Sequence, residues 1–185
     1  MIIIISGYIG YKVTDIYSLY ASEVMLFDDL EAANIGSLQL YLRPLVCLII
    51  AITADKTSHI NLIIFGFITM LIGSLIFALG VVQPNVNMVF YFSLIIVATG
   101  TYAIRALYFS IMQDGLIPLT LTGTAVGLIS VVGYTPDIFA TPAIGYLLDK
   151  YPGITGHQYI FSTLAGFSVL GLIASVKFVN IKNSR

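Results

Sequence analysis

The sequence predicts an all-α integral membrane protein: one transmembrane domain, a six-helix bundle built as two three-helix repeats. Three observations lead there. The chain of 185 residues is 58% hydrophobic and 9% charged, whereas a soluble domain carries about 25% charged residues. Its apolar runs reach ~20 residues, which as helix spans the ~30 Å core of a bilayer. Those runs are continuous rather than alternating, which argues against a membrane β-barrel. Mean hydropathy is +0.99, so the polar coat of a soluble fold is missing. The spans are expected at 2–24, 35–53, 60–82, 88–112, 121–148 and 159–179.

The first span opens abruptly, with Met1 followed by Ile2-Ile3-Ile4-Ile5. There is no basic segment and no small-residue cleavage site, so no signal peptide is expected. Lys12 and Asp15 lie three apart and so share a helix face. Tyr8, Tyr11 and Ser18 extend that face into a polar stripe. Two readings follow. Lys12 and Asp15 neutralise one another for structural reasons, or Lys12 holds an anionic solute while Asp15 tunes it or carries a proton. The acidic residues Glu23, Asp28, Asp29 and Glu31 then form a loop.

In the second span Gln39, Arg43 and Cys47 recur at spacing four, and Gly36 continues their face. Pro44 removes a backbone hydrogen bond and is expected to kink the helix there. A guanidinium offers a planar fork of donors that matches carboxylate, phosphate or nitrate oxygens. The competing reading is an arginine that snorkels ~12 Å to the outer surface. Cys47 is the one cysteine, so no internal disulfide can form.

The third span carries no charge, and Gly66, Gly73 and Gly80 form a packing groove on it. Gln83-Pro84-Asn85 closes it. In the fourth, Arg105 shares its face with Thr101, Tyr102, Tyr108 and Phe109. That group forms either an aromatic solute pocket or an inner gate. Ile117-Pro118 marks the next loop. In the fifth span Ser130, Tyr134, Asp137 and Thr141 form a stripe beside Pro136 and Pro142, which should bend or unwind the helix. Gly123-x-x-x-Gly127 would admit a close neighbour. Asp137 is either a proton carrier or the partner of Arg43 or Arg105 in a structural ion pair. Tyr151-Pro152-Gly153 ends the fifth span. The sixth holds Gly166 and Gly171 for packing, His157 as an interface residue, and Lys177 in its last turn.

Ionised groups at mid-membrane cost about 2.5–3.5 kcal/mol each. Lys12, Asp15, Arg43, Arg105 and Asp137 fall in the first, second, fourth and fifth spans, with the third and sixth bare. The pattern charged, charged, bare therefore occurs twice, which suggests two three-helix units lining one pathway. Lys56, Lys177, Lys182 and Arg185 fall on the side of both termini, and Lys150 on the other. The positive-inside rule makes the termini cytoplasmic and the protein a multi-pass resident of the cell membrane. A net charge of −1 lacks the basic face a nucleic-acid partner needs. No metal-ligand cluster, phosphate-binding glycine loop or hydrolytic triad is visible, so neither an enzyme nor a cofactor is expected.

The loop Ala51-Ile52-Thr53-Ala54-Asp55-Lys56-Thr57-Ser58 resembles the G-x-x-x-D-R-x-G signature of the major facilitator superfamily. Asp55 and Lys56 match its acid and base, while Ala51 and Ser58 replace its glycines. Pro142-Ala143-Ile144-Gly145 is similar to the proline–glycine ending of that family's eleventh helix. The resemblance covers the whole chain. It implies the C-terminal half, helices seven to twelve, of a secondary transporter, similar to the permeases for nitrate, organic anions and sugar phosphates. A small anionic solute would cross by alternating access, with Asp15 or Asp137 as candidate proton carriers. Tyr8, Lys12, Asp15, Gln39, Arg43, Tyr102, Arg105, Tyr108, Tyr134 and Asp137 would line the pathway. The implied partner is a separate N-terminal six-helix half, or a second copy of the chain. The alternatives are a non-transporting scaffold or remnant of a split or truncated gene, and a six-helix channel.

Overall fold

A computed structural model of the chain describes residues 1–84, 86–114 and 118–184. The expectations that touch Asn85, Ile117 and Arg185 lie outside these residues. Within them the chain is all helix and loop. The helices are α1 (Ile2–Thr14), α2 (Tyr17–Glu23), α3 (Asp29–Ala54), α4 (His59–Ala78), α5 (Asn87–Leu107), α6 (Ile111–Asp114), α7 (Thr122–Gly133), α8 (Pro136–Lys150) and α9 (Ile154–Asn183). Five spans are long and apolar enough to cross a membrane: α3, α4, α5, α7 with α8, and α9. The first expected span, 2–24, is divided between α1 and α2.

Two spans are interrupted, and both breaks use the same device. At the end of α1 the Asp15 and Ile16 amides donate to the carbonyls of Lys12 and Val13, three residues back rather than four. That leaves the Tyr11 carbonyl free, and the Thr14 hydroxyl donates to it at 2.6 Å. Between α7 and α8 the Thr135 amide donates to Val132, again three back. The Thr135 hydroxyl takes the freed Val131 carbonyl at 3.0 Å. Pro136 has no N–H and sits in the first turn of α8, where none is needed. Backbone groups in a bilayer must be satisfied within the protein, and the two threonines do this at each break.

Several boundaries differ from the sequence expectation. The acidic stretch is not all loop. Asp28 caps α3 by accepting from the Glu31 amide at 2.7 Å, and Glu31 accepts from the Asp28 amide at 3.3 Å. This reciprocal capping box starts the helix well before residue 35. The helix runs on unbroken through Pro44. α5 stops at Leu107, short of residue 112, and α9 extends to Asn183, which puts Lys177 inside that helix rather than in its last turn.

α4 packs most extensively on α5 and α9, and α1 lies across α9 and α5. Gly66 and Gly100 set the α4–α5 approach, because a Cβ on Gly100 would stand against the Gly66 carbonyl. Gly73 meets Val97 in the same seam. Gly80 is not part of it. It lies past the end of α4 with φ +67°, where its amide donates to Phe77 and that of Val81 to Ile76. This is a Schellman cap, and it needs glycine. Gly171 abuts the Phe67 ring, but nothing approaches Gly166, Gly123 or Gly127 among the described residues. The Gly123-x-x-x-Gly127 pattern therefore makes no close helix contact here.

One end of the bundle is closed by an aromatic cluster. Phe77 and Phe161 stack at 4.3 Å, Tyr20 meets Phe77 edge-on at 5.0 Å, and Tyr20 lies parallel to Phe90 at 5.8 Å. The Tyr20 hydroxyl donates to the Val82 carbonyl at 3.3 Å. His157, expected as an interface residue, belongs to this cluster. It is wholly buried, its ring lies edge-on to Tyr20 at 5.0 Å, and its Nε2 is 3.0 Å from Glu23 Oε2. An imidazole N–H there donates to the carboxylate and ties α2 to α9.

Candidate functional site

The two helix breaks bring their charged residues together. Lys12, in the last turn of α1, puts Nζ 3.3 Å from Asp15 Oδ2 and 3.1 Å from Asp137 Oδ1, in the first turn of α8. Tyr8 donates to Asp137 Oδ2 at 2.5 Å. The Tyr8 ring also meets Tyr134 edge-on at 5.2 Å. Asp137 therefore pairs with Lys12 and Tyr8, not with Arg43 or Arg105 as the structural reading of the sequence had it. The Lys12 side chain is 19% exposed and that of Asp137 45%, so the pair sits on the wall of the bundle rather than in its core.

Both arginines converge on Tyr11. The Arg105 guanidinium lies 3.9 Å from the Tyr11 ring centroid and 5.1 Å from that of Tyr8. Arg43 reaches the same ring from α3, at 5.4 Å, with Nη1 3.5 Å from the hydroxyl. Cations over a tyrosine face contribute about 0.5–2 kcal/mol each, more where water is excluded. Arg105 has a buried Nη1 with no hydrogen-bond partner among the described residues.

Beside this cluster lies a cavity of about 300 Å³ between α1, α3 and α5. Tyr11, Asp15, Gln39, Arg43 and Tyr102 line it, with Thr14, Ser18 and Gly36. Tyr102 donates to Gln39 Oε1 at 3.0 Å. That fixes the amide and leaves Gln39 Nε2 buried without a hydrogen-bond partner among the described residues. The cavity thus offers a guanidinium on one side and a carboxylate on another.

Of the residues the sequence singled out, Tyr8, Lys12, Asp15, Arg105, Tyr134 and Asp137 form one cluster, and Gln39, Arg43 and Tyr102 form the adjoining cavity. Tyr11, expected only as part of the stripe, is common to both, as is Asp15. Tyr108 is buried at the end of α5 and packs against Phe109 at 4.2 Å. Asp55 and Lys56 are exposed in the short turn between α3 and α4, away from the cavity. Cys47 is half-buried with a free thiol.

Two relatives among known proteins are inner membrane proteins of Escherichia coli (strain K12). The chain is 37% identical to inner membrane protein YihN over 75 residues, 40% of this chain and 18% of that protein. It is 32% identical to inner membrane protein YqcE over 84 residues, 45% of this chain and 19% of that protein. The matched stretches thus take in less than a fifth of either relative. No family model and no solved structure matches the chain.

Proposed function

We propose that this chain is one six-helix half of a secondary active transporter that moves a small anionic solute across the inner membrane by alternating access. The observation that carries the reading is the cavity between α1, α3 and α5. Arg43 presents its guanidinium there, and a guanidinium fork suits the oxygens of a small anion. The adjoining cluster supports it. Two interrupted helices meet at Lys12 and Asp137, and interrupted helices with charged residues are how carriers build sites within the bilayer. Asp15 and Asp137 compete for the same lysine, so either can take a proton while the other keeps the pair, which is the chemistry of proton coupling.

In this reading the chain belongs to the major facilitator superfamily, both termini are cytoplasmic, and the exposed polar wall formed by Lys12, Asp15, Arg43 and Asp137 faces a second six-helix half. The test is uptake of labelled small anions by the assembled carrier in proteoliposomes. Arg43→Gln and Arg105→Gln should each lower uptake below a tenth of the parent rate with protein levels unchanged. Normal uptake in both variants would overturn the proposal, and absence of flux in every assembly would favour a scaffold.

A further inference from the structure

A second cavity, of about 260 Å³, runs between α1, α8 and α9. Ile9 and Val13 form one wall, Ala143 and Leu147 the second, Ile160 and Leu164 the third. Its lining on α8 extends from Phe139 to Leu147, which is ~12 Å along a helix. The empty space there is about 640 Å³, a mean cross-section of roughly 50 Å² over that length, whereas a helix with its side chains needs roughly 80 Å² or more. The slot is too slim for another helix. Its walls offer water almost no hydrogen-bond partners, so water does not fill it. A single hydrocarbon chain fits it.

The slot continues into a wider opening of about 530 Å³ at the end of α8 and the start of α9. Leu147 and Thr163 line both spaces. Here the walls change character. Tyr151, Tyr159 and Ser162 bring hydroxyls, and the two tyrosine rings meet edge-on at 4.9 Å. Lys150 stands beside them. Its Nζ is 3.1 Å from the Tyr146 hydroxyl and 5.4 Å from the Tyr151 ring centroid. Asp149 precedes it in the chain, but successive residues on a helix point away from one another. The sequence of environments is apolar slot, tyrosine belt, exposed ammonium. That order matches a phospholipid from acyl chain to anionic headgroup.

We propose that this groove binds one anionic phospholipid, with an acyl chain in the slot and its phosphate at Lys150. The site is separate from the Lys12–Asp137 cluster and does not depend on the chain being a carrier. The test is native mass spectrometry of the full chain in detergent, titrated with palmitoyl-oleoyl phosphatidylglycerol or palmitoyl-oleoyl phosphatidylcholine. One phosphatidylglycerol should be retained in preference to phosphatidylcholine. Lys150→Gln should weaken its retention by about fivefold, the worth of one lysine near an anionic surface. Ala143→Phe fills the slot and should abolish retention of both lipids. Equal retention of the two lipids, or no change on Lys150→Gln, would mean ordinary annular lipid and overturn the site. Lys150 is on the surface, so that variant decides the matter by itself if Ala143→Phe does not fold.

Discussion

Lys12 and Asp137 meet at 3.1 Å, each one turn from a break in its own membrane span. The pair links α1 to α8, which otherwise touch lightly. If the contact is a true ion pair, exchanging its ends should preserve it. On the transport reading proposed above, Lys12→Asp and Asp137→Lys, made singly, should each abolish uptake, and the double exchange should restore a measurable fraction. The check is a double-mutant cycle on uptake and on thermal midpoint in detergent. Additive effects would show that the two residues act independently.

Tyr11 is the shared platform for both arginines. Tyr11→Phe keeps the ring and loses only the 3.5 Å contact from Arg43, so it should behave close to the parent. Tyr11→Leu loses the aromatic face and should cost about 1–3 kcal/mol of stability or anion affinity, the sum of two partly exposed cation–ring contacts. Equilibrium binding of small inorganic anions, measured beside unfolding, separates the two losses. Equal effects of the two substitutions would remove the ring from the argument.

The aromatic cluster predicts a graded stability series. Phe161→Ala empties the space against Phe77 and should cost about 3–5 kcal/mol. Tyr20→Phe removes only the hydrogen bond to the Val82 carbonyl and should cost about 0.5–1.5 kcal/mol. Unfolding in mixed micelles as the denaturing detergent is raised gives both values. A reversed order would mean that the hydrogen bond, not the stacking, holds this end together.

Glycines of similar appearance should divide sharply. Gly100→Ala pushes a methyl group onto the Gly66 carbonyl across the α4–α5 seam and should destabilise by about 1–3 kcal/mol. Gly166→Ala enters open space on α9 and should be neutral or stabilising by about 0.5–1 kcal/mol. The same micelle assay measures both.

The long apolar runs made the spans legible, because hydropathy depends on composition alone. The polar stripe on α1 was legible too, since Tyr8, Lys12 and Asp15 follow helical spacing. The breaks after Thr14 and before Pro136 were harder to read. Pro136 signalled the second, but nothing in the apolar pattern marked the first, which rests on a threonine hydroxyl bonding backwards. The early start of α3 was readable and missed: Asp28 followed three residues later by Glu31 is a capping box. The partner of Asp137 was not readable, because three cations were available and spacing within one helix cannot choose among residues on others. Glu23 and His157, 134 residues apart, posed the same problem. Gly123-x-x-x-Gly127 illustrates the reverse limit. Small residues permit a close neighbour but do not supply one.

The clasp between Glu23 and His157 also sets a schedule for biosynthesis. α2 is made before α9, and its carboxylate has no imidazole until α9 is synthesised, 134 residues later. At ~5–20 residues per second that wait is roughly 7–27 s. Lys12 waits nearly as long for Asp137. Throughout this interval a polar-striped helix has entered the lipid without its closing partners. The burden of holding it there falls on the insertion machinery or on early contacts such as those of α1 with α5. A ribosome that stalls before α9 would release a membrane chain whose first helices are recognisably unpaired, and that is the form a quality-control protease would meet.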